Sequence, residues 1–199
     1  MRLSYIPNLI TCLRFLLVGP VLLALFSHHY LWALGFFMLA GVSDALDGLL
    51  ARLYGWTSRF GAIADPLADK LLLVSSFLAL YELGFIPGWL IIAIISRDVW
   101  ILLGAIGYQC FIGPVPMAPS GISKINTFFQ ILLVPVILVD LSIYPLPGFL
   151  VQGCMLIVLL TSVGSFFHYT WVWGWRAYQN HKINVEVRNK KLGVPKGVV

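Results

Sequence analysis

Residues 44–69 read DALDGLLARLYGWTSRFGAIADPLAD, and this stretch decides the fold. Asp44 and Asp47 are three residues apart, and Asp65 and Asp69 four apart; either spacing puts both side chains on one face of an α-helix. The short polar turn at 54–59 makes the two helices antiparallel neighbours. All four carboxylates can then converge on one point near the same end of the helix pair.

What surrounds this stretch is almost uniformly apolar. Of 199 residues, 60% are hydrophobic and only 11% charged, with a mean hydropathy of +0.92. A soluble domain of this size needs a polar shell that the sequence does not supply. Six segments have the roughly 20 mostly apolar residues that a spanning helix needs: 7–26, 31–53, 60–83, 87–109, 122–141 and 146–173. Short connectors separate them, those at 81–87 and 140–147 carrying Pro or Gly. The expected fold is therefore all-α, a polytopic membrane protein with six transmembrane helices. Its domain is 1–175, followed by a basic, weakly ordered cytoplasmic tail at 176–199. Arg2 and the apolar run after it are read as a retained first span, because no small-residue cleavage site follows.

Orientation follows from the basic residues. Arg52 and Arg59 lie after the second segment, Lys124 opens the fifth, and Arg176, Lys182, Arg188, Lys190, Lys191 and Lys196 lie in the tail. The other three connectors hold no Lys or Arg, which places both termini in the cytoplasm. The net charge of +5 and pI near 9.2 then belong with anionic lipid headgroups, not nucleic acid. Cys12, Cys110 and Cys154 share no metal-ligand or redox spacing and are read as small hydrophobes.

Against that background the charges are the informative residues. Only eight acidic residues exist, and four of them lie within 44–69. An ionisable group at membrane depth is costly and marks function by default. Clustered carboxylates repel one another strongly where the dielectric is low, so they stay ionised only if cations neutralise them. Oxygen ligands without Cys or His suit Mg2+ or Mn2+ rather than zinc. The structural alternative is a pair of solvated helix ends pairing with Arg52, Arg59 and Lys70. Gly48, Ala51 and Gly61 share the carboxylate faces and leave open space there, for a ligand or for close helix packing.

Together these residues spell D-x2-D-G-x2-A-R-x8-G-x3-D-x3-D, from Asp44 to Asp69. The pattern resembles, without a departure, the signature of the CDP-alcohol phosphatidyltransferase family, whose members have six helices and usually form homodimers. The resemblance implies transfer of a phosphatidyl group from CDP-diacylglycerol to an alcohol, releasing CMP, with two metal ions at the pyrophosphate. It implies Asp44, Asp47 and Asp65 as core metal ligands. Asp69 would be the general base, also touching the second metal. Gly48, Ala51 and Gly61 would make room for the cytidine nucleotide, with Arg52 near its phosphates. The expected location is a bacterial inner (cytoplasmic) membrane with the site facing the cytoplasm, or else a mitochondrial inner membrane.

The acceptor set is read from four further places. The start Ile6-Pro7-Asn8-Leu9-Ile10-Thr11 with Arg14 is similar to glycerophosphate-type and cardiolipin-type members alike; Arg14 either reaches a phosphate or snorkels. Arg97 and Asp98 lie deep in the fourth segment, as a functional or a self-neutralising pair. The runs at 95–99 and 122–127, with Lys124 and Asn126, resemble eukaryotic-type cardiolipin synthases. Phosphatidylglycerophosphate synthases more often carry Glu, a second arginine and a second lysine where this chain has Asp98, Ala105 and Asn126. Fewer positive charges favour a singly charged acceptor such as phosphatidylglycerol, with glycerol 3-phosphate as the alternative. A divalent-cation transporter is the rival from another class; it would place its site near the midplane, often in repeated halves, and no repeat is present.

Overall fold

The computed structural model describes residues 6–54, 61–111 and 121–191. Within them, the side chains of 6–10, 47–48, 50–54, 61–63, 108, 110–111, 173 and 176–191 lie outside the description. Six helices follow in chain order: α1 Ile6–Phe26, α2 Tyr30–Tyr54, α3 Gly61–Glu82, α4 Gly88–Phe111, α5 Gly121–Ser142 and α6 Gly148–Lys191. No strand occurs among the described residues. Apart from their end groups, helices satisfy their backbone donors and acceptors internally, which an apolar surrounding demands.

The turns have local causes. At the end of α1, His28 takes φ 58° and the His29 amide donates to the Ala24 carbonyl at 2.8 Å. That is a Schellman stop, with an αL residue letting the chain leave the helix while capping its last carbonyls. The same device ends α3, where Gly84 adopts φ 81° and the Phe85 amide reaches the Leu80 carbonyl at 2.9 Å. Pro87 and Pro147 precede α4 and α6, where a missing N–H costs nothing. The Leu146 amide finds Asp140 Oδ1 at 2.7 Å.

Packing closes the helices into a ring. α1 lies against α2, α2 against α5, α5 against α6, α6 against α4, α4 against α3 and α3 against α1, with α3 also touching α5. Val21, Leu25, Phe37, Phe77, Leu80, Leu90, Ile94, Leu133, Ile137 and Val158 are buried in one continuous core. Leu16, Leu23, Ile92, Leu160 and Phe167 face outward, as the apolar rim of a lipid-embedded bundle does.

Three stretches are long and apolar enough to cross a membrane: Gly88–Gly107, Gly121–Ser142 and Gly148–Val172. The protein is therefore an integral membrane protein. α1 and α2 hold shorter apolar stretches, Thr11–Phe26 and Tyr30–Leu46, with the charged residues of the site beside or within them. One expectation is corrected. The tail is not weakly ordered from residue 176, because α6 continues to Lys191. No Gly or Pro interrupts 176–191, so nothing there breaks a helix.

Candidate active site

Three helices bring the acidic residues together, and the first of them carries the cation. Thr11 and Arg14 sit three apart on α1 and so share a face. Opposite them on α3, Asp65 and Asp69 share another. The Thr11 hydroxyl donates to Asp65 Oδ1. Arg14 Nη1 donates to Asp69 Oδ1 at 2.5 Å and lies 3.5 Å from the Asp65 carbonyl oxygen. Its other terminal nitrogen, Nη2, is 2.7 Å from Asp44 Oδ1 on α2.

Burial is unequal across this cluster. The Arg14 side chain is 1% exposed, while Asp44 and Asp69 are 49% and 46% exposed. The guanidinium is thus sealed between helices, and the carboxylates it holds open outward. Asp47 and Gly48 lie on the described backbone of α2, but their side chains, with those of Ala51, Arg52 and Gly61, lie outside the described residues.

Among the described residues, no group of three His, Cys, Asp or Glu side chains is gathered tightly enough to hold a metal ion. The guanidinium stands between Asp44 and Asp69 and spaces them. The donor set nevertheless suits a hard divalent cation: two helices bring three carboxylates to one face of α1, Asp44 and Asp69 on Arg14 and Asp65 on Thr11, and three negative charges against one positive leave an excess of two.

A second polar cluster lies on the other side of α3. Lys70, next after Asp69, pairs its ammonium with Asp98 on α4. Asp98 Oδ1 also accepts from Arg97 Nη1 at 2.8 Å. Arg97 Nη2 donates to Ser123 Oγ on α5 at 2.5 Å and to Ser165 Oγ on α6 at 2.9 Å, and Nε reaches Ser165 at 3.2 Å. Of the two readings of Arg97 and Asp98, the self-neutralising contact is present, and hydroxyls from two further helices surround it.

One turn beyond Ser123, Asn126 is fully buried, with Oδ1 accepting from Thr161 and Ser162 at 2.9 Å each. Among the described residues, its Nδ2 and both amide atoms of buried Gln130 have no hydrogen-bond partner. Lys124 is exposed. Sequence reasoning did not single out Gln130, Thr161, Ser162 or Ser165. Their signal was present as helical spacing: Asn126 and Gln130 are four apart, as are Thr161 and Ser165, so each pair forms a polar stripe on an apolar helix.

With this geometry stand the relatives. The family model for CDP-alcohol phosphatidyltransferase matches residues 4–169, and the chain belongs to that family. A Mycobacterium tuberculosis protein named "Probable phosphatidylglycerophosphate synthase" is 36% identical over 151 residues, 71% of this chain and 69% of the relative. The cardiolipin synthase (CMP-forming) of Rattus norvegicus is 32% identical over 188 residues, 82% of this chain and 61% of the relative. A Schizosaccharomyces pombe cardiolipin synthase (CMP-forming) / mitochondrial hydrolase fusion protein is 34% identical over 172 residues, 75% of this chain and 29% of the relative. The protein is a phosphatidyltransferase of phospholipid biosynthesis, and its family generally uses divalent metal ions.

The second cluster makes a stability prediction. Asp98→Ala leaves Arg97, 6% exposed, without its counter-ion, which for a buried pair costs about 3–5 kcal/mol. Ser165→Ala removes one neutral acceptor and should cost about 1–3 kcal/mol. Thermal unfolding of the purified variants should rank them in that order.

Proposed function

We propose that this enzyme transfers the phosphatidyl group of CDP-diacylglycerol to phosphatidylglycerol, forming cardiolipin and CMP. The observation that carries the reading is the gathering of three carboxylates from two helices against one face of α1, Asp44 and Asp69 on the buried Arg14 guanidinium and Asp65 on the Thr11 hydroxyl. In this proposal Asp44, Asp47 and Asp65 hold two Mg2+ or Mn2+ ions, with Asp69 shared between metal and chemistry. Bound there, such ions screen the pyrophosphate and stabilise the departing CMP.

The chain's own residues do the rest. Gly48, Ala51 and Gly61 admit the nucleotide, and Arg52 faces its phosphates. Asp69, held by Arg14, accepts the proton of the acceptor hydroxyl at a carboxylate oxygen. The hydroxyl oxygen bonds to the phosphorus that carries diacylglycerol, and the bond from that phosphorus to CMP breaks. The half-exposed carboxylate of Asp69 is accessible to such a hydroxyl.

Acceptor choice is assigned to Arg97 and Asp98 of the second cluster together with Lys124 and Asn126 on α5, with Arg14 supporting Asp69 from the other side. Within the bonded group, Arg97 and Lys70 against Asp98 leave an excess of one positive charge. That complements one phosphodiester charge better than a phosphate monoester dianion. Glycerol 3-phosphate is the second reading, favoured by the relative at 36% identity whose name is phosphatidylglycerophosphate synthase. A cation transporter accounts for neither the signature nor the family match.

The arrangement in the membrane is part of the proposal: six spans, both termini cytoplasmic, a homodimer, and a bacterial inner membrane with the site facing the cytoplasm. The Lys and Arg asymmetry of the connectors supports this orientation.

Offered phosphatidylglycerol and glycerol 3-phosphate side by side with CDP-diacylglycerol and Mg2+ or Mn2+, the enzyme should release CMP faster with phosphatidylglycerol and yield cardiolipin by mass. Preference for glycerol 3-phosphate would overturn the acceptor assignment and leave the transfer chemistry standing. Asp69→Asn should lower turnover by about 10²–10⁴, the usual contribution of a positioned base, with CDP-diacylglycerol binding retained; normal turnover would remove Asp69 from that role. Tags at either terminus should resist protease added outside intact cells and be cut in inverted vesicles.

A further inference from the structure

We propose that Arg14 is a built-in counter-ion for the carboxylate cluster, which exchanges contacts with the divalent cation as that ion enters and leaves. This rests on the metal-dependent reading above and assigns α1 a part in it. The guanidinium is 1% exposed and reaches Asp44 at 2.7 Å and Asp69 at 2.5 Å. Thr11, three residues earlier on the same face, holds Asp65. α1 therefore takes one oxygen from each of the three carboxylates, which belong to two other helices.

The residue type matters. A guanidinium is planar, always charged and carries donors in a fork, so two carboxylates from different helices can be bridged by one side chain. An ammonium is a point charge and spans them poorly. Without a neutralising group, Asp44 and Asp69 would repel one another across the gap between α2 and α3. Arg14 removes that repulsion in the metal-free protein and lets the cluster assemble during folding.

The same contacts oppose metal binding. A divalent cation drawing Asp44 and Asp69 together must loosen at least one of them from Arg14, and it also feels the arginine's positive charge. By linkage, metal loosens α1 from the carboxylates to the extent that α1 weakens metal binding. A purely structural clamp acts the other way: it would preorganise the ligands, and its removal would weaken metal binding. The two roles differ in sign.

The experiment measures Mn2+ binding to the purified full-length protein by electron paramagnetic resonance of the free ion, alongside thermal unfolding with and without Mn2+. Arg14→Gln should bind Mn2+ about tenfold more tightly than the parent, on the usual scale of linked sites. It should be less stable than the parent without metal, and should gain more from Mn2+. Arg14→Lys keeps the charge but not the fork, so it should shift in the same direction by less. If Arg14→Gln does not fold, the lysine variant carries the test. Equal or weaker Mn2+ binding in the folded variants would overturn the counter-ion role while leaving the metal reading intact. Absence of Mn2+ and Mg2+ binding by the parent and both variants would overturn the metal reading, and this inference with it.

Discussion

The structure depends on how one buried positive charge is neutralised. Arg14 lies 1% exposed between three helices, with Asp44 on one side and Asp69 on the other. Removing the partner of a buried ion leaves an uncompensated charge at a cost of about 3–5 kcal/mol, a large fraction of the stability of an ordinary domain. The half-exposed aspartates lower that figure by solvent screening, but the guanidinium has no such relief. Docking α1 against α2 and α3 and gathering the acidic residues are consequently the same event. The site does not sit on a finished scaffold, because its charges help to define where α1 goes.

A second arginine does the corresponding work for the other half. Arg97 on α4 draws Ser123 from α5 and Ser165 from α6, and Asp98 links it to Lys70 on α3. The two hubs meet on α3, where Asp69 and Lys70 are adjacent in sequence. Consecutive residues on a helix point in different directions, so Asp69 serves the carboxylate side and Lys70 the Arg97 side. One hub carries an excess of negative charge and the other a smaller excess of positive charge. Both hubs are thereby fixed to one helix, with opposite net charges side by side.

Much of this was legible in the residues alone. The six helices fall where the apolar segments place them, because hydrophobic length is a local property. The aspartates were conspicuous because charge in an apolar chain is rare and costly, and their spacing of three and four gave them shared faces. The extension of α6 to Lys191 was missed because polarity was taken as disorder, although nothing in 176–191 breaks a helix. Ser162, Ser165 and Gln130 were passed over because, in a helix otherwise apolar, small or amide side chains do not announce which neighbour they face.

By itself the sequence determined the class of fold, the signature from Asp44 to Asp69 and the family that follows from it. It also determined that Arg14 and Arg97 needed partners. Only the tertiary structure decided which partners. Arg14, read as a phosphate contact or a snorkelling side chain, is buried against Asp44 and Asp69, and Arg97 has a collar of hydroxyls as well as Asp98. The reason is physical: a charge states its need for compensation in its own chemistry, but the group that meets the need lies 30 or 55 or 68 residues away. Which residue arrives there depends on the order in which the six helices close their ring.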